Sequence, residues 1–207
     1  MVNVTLFKKT ILLLIPSLSL IFGFLFQEDL STGGNKMDFL RTFPAVIDFS
    51  NFIFNTTHEY TRHFPLHYFI LSIPQLYFND IFITKLIYCL FSLLLPFLIY
   101  LNITKLYTEH KFNILIIAIS FLFFPFYRAS SFWPNAHLTA LIFLLSANYF
   151  YLVGLNCKNF IYKFLNIFFL SLVTYSVQSY VVFFIYYLVQ YYKNESLKTF
   201  FYLFFFC

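Results

Sequence analysis

Charge is what this chain has least of: Asp, Glu, Lys and Arg together make up 10% of its 207 residues. Soluble domains carry about a quarter charged residues. An ordinary solvated globule is therefore excluded, and 61% hydrophobic content with mean hydropathy +0.78 places the chain in the helical membrane class. Cysteine is scarce too. The three present, Cys89, Cys157 and Cys207, have no metal-ligand spacing and lie in or beside apolar runs, so neither a disulfide framework nor a cofactor is implied by them. Small residues are missing where a signal-peptide cleavage site would need them. Ile11–Phe26, preceded by Lys8 and Lys9, ends in the bulky Phe24-Leu25-Phe26 and reads as an uncleaved first transmembrane helix. Ionisable groups are almost absent from the later apolar runs, which argues against a transport pathway through them.

What is abundant is Phe (34) and Tyr (17). The ordinary account is an AT-rich codon bias; an aromatic carbohydrate platform or a pigment site is the alternative. The net charge of +5 comes largely from Lys in short loops beside apolar runs. That is the pattern of cytoplasmic anchoring, and it excludes a nucleic-acid partner in favour of a lipid bilayer. The remaining charge is concentrated in one polar stretch, Gln27–His67, with Glu28, Asp29, Lys36, Asp38, Arg41, Asp48, His58, Glu59, Arg62, His63 and His67. A cluster this dense must sit in water or line a wet cavity.

The fold expected is all-α and polytopic, one membrane domain over 1–207, with an outer loop over 27–80 that contains surface helices. Met37–Phe54 mixes aromatic and aliphatic residues with Asp38, Arg41 and Asp48, as in an amphipathic helix at the membrane surface with Pro44 bending or starting it. Ser31-Thr32-Gly33-Gly34 marks a tight turn. Phe64–Tyr77 contains Pro65 and Pro74, and its roughly 21 Å of helix falls short of the roughly 30 Å of hydrocarbon. Basic loops at Lys8-Lys9 and at Lys105–Lys111 must be separated by an even number of crossings. Ile11–Phe26 and Ile81–Leu101 supply two, so Phe64–Tyr77 reads as a re-entrant or interfacial helix. Phe112–Phe126 then runs outward to a polar turn at Tyr127–Asn135, His137–Val153 returns, and Phe160–Tyr192 makes a hairpin with a polar centre at Thr174–Ser179. Thr199–Cys207 is too short to cross. The expectation is about six full spans plus a truncated seventh, the chain being cut short or completed by partner helices.

This topology gathers the polar residues on the outer face. Glu28 and Asp29, at the outer end of the first helix, suit a general base toward an acceptor hydroxyl or a divalent-cation site; a solvated helix end is the plain alternative. His58, His63 and His67 do not share one helical face, so interfacial or phosphate-contacting roles suit them better than a metal. Asn55-Thr56-Thr57 matches a glycosylation acceptor. Arg128 is a phosphate contact or an interfacial anchor, and Trp133 suits the aromatic belt.

The order of these features resembles the GT-C glycosyltransferase superfamily, especially its protein mannosyltransferases and aminoarabinose transferases. The similar elements are the acidic pair Glu28-Asp29 after the first helix and His63-Phe64-Pro65-Leu66-His67-Tyr68, which is like a His-Pro-Pro-Leu-Tyr motif. The helix bearing Lys85, a basic inner loop, and an outer turn with Arg128 and Pro134-Asn135-Ala136 follow in the family's order. Asn135 stands where many members have an acid. The resemblance implies a multi-pass protein of the bacterial inner membrane, or the N-terminal part of one, that transfers a sugar from a polyprenyl-phosphate donor to an extracytoplasmic acceptor. Asp29 or Glu28 would be the base, and Arg128 with His63, Lys85 and Asn135 would bind the substrate and its departing phosphate. A non-catalytic membrane subunit or a polysaccharide assembly component is the other expectation.

Overall fold

A computed structural model describes residues 4–28, 33–49, 65–157 and 159–194. Asp29, His58, Glu59, Arg62, His63, the Asn55 acceptor and Thr199–Cys207 lie outside the described residues. Among those described, regular structure is entirely helical: α1 Val4–Leu25, α2 Gly34–Ile47, α3 Leu66–Phe78, α4 Ile81–Ser92, α5 Leu94–Leu106, α6 Lys111–Ser120, α7 Pro125–Phe132, α8 Ala136–Cys157, α9 Phe160–Ser176 and α10 Val181–Asn194.

Among the described residues, two stretches are long and apolar enough to cross a bilayer. These are α4–α5, Ile81–Leu106, continuous enough to count as one 26-residue helix, and Ala136–Leu155 within α8. A third is formed if α6 and α7, which meet at a bend of 60°, are taken together. The helix expected over Ile81–Leu101 is thus present, longer and apolar enough to span, and that expected over His137–Val153 lies inside α8. The hairpin expected over Phe160–Tyr192 folds as α9 and α10 around a 3₁₀ turn at Gln178–Tyr180, and its arms of 17 and 14 residues are each short for a full crossing.

The short helix expected at Phe64–Tyr77 is α3. It ends where Asn79 takes a left-handed conformation (φ 47°), and Asp80 restarts the chain as the N-cap of α4, accepting from the N–H groups of Phe82 (2.6 Å) and Ile83 (3.2 Å). Across this α3–α4 hairpin the Thr84 hydroxyl donates to Gln75 Oε1 at 2.9 Å. In α2, Phe39, Phe43 and Val46 are buried while Met37, Leu40 and Ile47 are exposed. Its aromatic face packs into the protein, with Phe39 6.0 Å from Trp133 ring to ring, so the face expected to lie on lipid serves largely as core.

One expectation is corrected. Tyr127–Asn135 is not an outer polar turn along its length; Tyr127–Phe132 belong to α7 and are all buried. Phe124 is extended, and Pro125 at the first position starts the new helix, its fixed φ and missing N–H costing nothing there. Of the serines that made the stretch look solvent-facing, Ser131 donates locally to the Tyr127 carbonyl at 2.8 Å and Ser130 accepts from Asn35 of α2.

Away from α7 the bundle is tied by amides. Asn102 donates to the carbonyls of Leu98 (2.7 Å) and Leu145 (2.9 Å), Asn148 donates to Asn102 Oδ1 (2.8 Å), and the Tyr187 hydroxyl donates to Asn148 Oδ1 (2.6 Å). Asn166 donates to the Ala147 carbonyl (2.7 Å) and accepts from Tyr191 (3.1 Å). Apolar helix faces in lipid gain little from the hydrophobic effect, so such bonds and close packing hold α5, α8, α9 and α10 in register.

Candidate functional site

Three groups of side chains meet where α2, α3, α4 and α7 converge. The first joins Glu28 to Arg128 across a sequence separation of 100. Arg128 Nε donates to Glu28 Oε1 at 3.2 Å, and Nη2 bonds Glu28 Oε2 more closely. Nη1 also donates to Ser19 Oγ (3.4 Å) and the Leu122 carbonyl (3.3 Å), and Nη2 to the Ser19 carbonyl (3.2 Å). All five guanidinium donors are therefore placed. The side chain of Arg128 is 8% exposed and that of Glu28 29%. This is a clasp between α1 and α7, and in it neither residue is poised for the chemistry expected of it. A phosphate at Arg128 would have to displace Glu28, and Glu28 as a base would have to leave Arg128.

Gly23 makes the clasp possible: a β-carbon there would run into both the Arg128 guanidinium and the Glu28 carboxylate. Alanine in a helix interior is ordinarily better than glycine by about 1 kcal/mol. Here Gly23→Ala is expected to destabilise instead, by about 1–3 kcal/mol, because moving the pair sacrifices several of its bonds. Thermal unfolding in detergent checks the sign; a raised midpoint would mean that the pair does not sit against position 23.

The second group is cationic. Lys85 Nζ lies 3.3 Å from the centroid of the Trp133 ring and 5.6 Å from that of Phe24, and Lys36 Nζ lies 5.4 Å from Trp133. Neither ammonium has an ion-pair partner among the described residues. Two cations around one indole ring repel each other, and an anion bound near both would relieve them. Lys85 was expected at a phosphate site from the sequence. Lys36 was not, and its signal appears only when α2 folds back onto the α7–α8 connection.

The third is a polar cleft of about 250 Å³ between α2, the start of α3 and the α7–α8 connection. Asp38, Arg41 and Thr42 line one side and His67, Asn135 and His137 the other. Its wall includes Asn35 and Pro134, the chain neighbours of Lys36 and Trp133, though not Lys36, Lys85 or Trp133 themselves. Asn35 donates to the buried Ser130 hydroxyl at 3.2 Å, which fixes α2 on α7. Asp38 is exposed, and its carboxylate makes no ion pair or hydrogen bond among the described residues.

His67 is a buried histidine whose Nδ1 lies 2.9 Å from Thr139 Oγ1, which in turn lies 2.9 Å from the Tyr88 hydroxyl. Tyr88 donates to the Asn135 carbonyl at 2.7 Å, and Asn135 Oδ1 accepts from the His137 N–H at 2.8 Å. Asn135 thus caps the start of α8, with its position locked from α4. Burial pushes the Tyr68 phenol up to about 12, so at neutral pH it offers a hydroxyl and not a base. Among the described residues no three His, Cys, Asp or Glu side chains come together as a metal site.

No protein-family model, curated protein or solved structure matches this chain.

Proposed function

We propose that this protein is a membrane glycosyltransferase that moves a sugar from a polyprenyl-phosphate donor to an extracytoplasmic acceptor, with its site in the cleft of α2, α3 and the α7–α8 connection. The supporting observation is the pairing of two cations around Trp133 with an adjoining polar cleft that presents the Asp38 carboxylate. The cations suit the phosphate of the donor. The cleft, lined by groups that both donate and accept, suits hydroxyls of an acceptor. In the step itself Asp38 takes the acceptor hydroxyl's proton, the acceptor oxygen bonds to the anomeric carbon, and the bond from that carbon to the phosphate oxygen breaks. The lipid phosphate leaves with the electron pair and is stabilised by Lys85 and Lys36. Asp29, next to the clasped Glu28, is the alternative base. The test is transfer of labelled sugar from a polyprenyl-phosphate donor in membranes that carry the protein; absence of transfer from every such donor removes the proposal.

The proposed topology, in which α1, α4–α5, α6–α7 and α8 cross a bacterial inner membrane, the shorter α9 and α10 form a hairpin within it and α3 dips in and returns, would put the site outside. Single cysteines at Met37 and Asn79, both exposed, are expected to react with an impermeant reagent in intact cells. One at Thr108 is expected to react only after permeabilisation. Labelling of position 108 from outside would make α3 a crossing and split the site. The Arg128–Glu28 clasp favours a second reading, a non-catalytic subunit, because it uses two expected site residues for structure.

A further inference from the structure

At the opposite end of α5 and α6 a second feature is built from two cavities that share one residue. An apolar groove of about 280 Å³ runs between α1, α5 and α6; Pro96, Phe97, Leu115, Ala118 and Ile119 form its walls and Tyr100 its lower end. A polar hollow of about 430 Å³ starts at the same Tyr100 and is lined by Thr104, Lys105, Thr108 and Lys111. Tyr100 follows Leu93, the upper end of the groove on the α4–α5 helix, by seven residues, which is roughly 10 Å of helix. Another 5–6 residues lead to the α5–α6 loop. Groove and hollow together extend over roughly 15–20 Å, about the depth of one leaflet.

We infer that this feature binds an anionic phospholipid of the inner leaflet, with one acyl chain in the groove and the headgroup phosphate between Lys105 and Lys111. The charge arrangement carries the assignment. Both lysines line the polar hollow that meets the apolar groove at Tyr100, neither has an ion-pair partner among the described residues, and Thr108 lines the same hollow. The Thr104 hydroxyl donates to the Tyr100 carbonyl at 2.8 Å, so the lysines are the groups left to meet a phosphate. Lys105 Nζ also lies 5.8 Å from the Tyr149 ring of α8. A polar solute has no use for the groove, and a neutral lipid none for the lysines. A lipid whose chain and phosphate are joined fits both. The inference needs the membrane reading of the chain but not the transferase.

The experiment reconstitutes the whole chain in vesicles of equal phosphatidylglycerol and phosphatidylcholine with identical oleoyl chains, extracts it into mild detergent and counts retained lipids by native mass spectrometry. Phosphatidylglycerol is expected to be retained over phosphatidylcholine. Lys105→Gln/Lys111→Gln is expected to lower that preference about 30-fold, from roughly a factor of five for each lysine near an anionic surface, while helix content is unchanged. Ala118→Leu, or Ser17→Leu should the first not fold, is expected to reduce retention of both lipids by filling the groove. Equal retention of the two lipids by the unaltered protein would overturn the inference. So would a preference untouched by the double substitution, displacement by inorganic phosphate alone, or a dimer that covers the groove.

Discussion

Asp38→Asn is expected to lower sugar transfer by about 10²–10⁴-fold, the usual loss when a positioned general base is removed. Asparagine keeps the shape of the side chain, and Asp38 is exposed with no bonded partner for its carboxylate among the described residues. The fold should therefore be unaffected, within about 0.5 kcal/mol. The measurement is transfer from a polyprenyl-phosphate sugar in membranes with expression level matched, and Asp29→Asn is run beside it. Loss of transfer in the second variant alone moves the base to Asp29. Full activity in both takes the acidic mechanism away and leaves the non-catalytic subunit. Lys85→Gln should raise the barrier to donor cleavage without altering stability to the same degree, because its ammonium is shared with no acid in the described structure.

The largest stability effect is expected at Arg128. Removing one member of a mostly buried ion pair costs about 3–5 kcal/mol, and Arg128→Met also leaves the Ser19 and Leu122 carbonyls without their donor. Glu28 is the more exposed partner and can be hydrated once released, so the cost should fall near the lower end of that range. Glu28→Gln should cost less than Arg128→Met when thermal midpoints in detergent are compared. The double variant should lose less than the sum of the two, since the second change removes a charge that the first left stranded. Additive losses would show that the two residues do not act on each other. Retained transfer in the double variant would confirm that the clasp is structural.

How much of this could be read from residues alone depended on range. Runs of Leu, Ile and Phe are local signals, and they located α4–α5, α8 and the α9–α10 hairpin to within a few residues, with the hairpin turn falling among Ser176, Gln178 and Ser179 as expected. Composition misled at Tyr127–Phe132. Arg-Ala-Ser-Ser is the vocabulary of an exposed turn, yet its hydroxyls bond back to the helix or receive Asn35, and its arginine is consumed by an acid 100 positions away. No local pattern reveals that. Asn102, Asn148 and Asn166 were equally silent: a lone amide in an apolar run has no meaning until its partners from another helix are known. The candidate site shows the same division. Glu28, Arg128, Lys85 and Asn135 were visible as polar residues on one face, whereas the role of each is decided by which neighbour folding brings to it. Asp38 gained prominence only because Glu28 lost it.

The notch at Gly23 has a consequence for how this chain can change over time. A β-carbon at that position and the Glu28–Arg128 clasp compete for the same space, so the three positions are bound by a rule of exclusion. A lineage that loses the acid or the guanidine gains freedom at position 23, and alanine there should then strengthen α1. A lineage that keeps both has no such freedom. Divergent sequences of this protein are therefore expected to carry glycine at 23 wherever an acid at 28 and arginine at 128 occur together, and a larger residue at 23 only where one of that pair is gone.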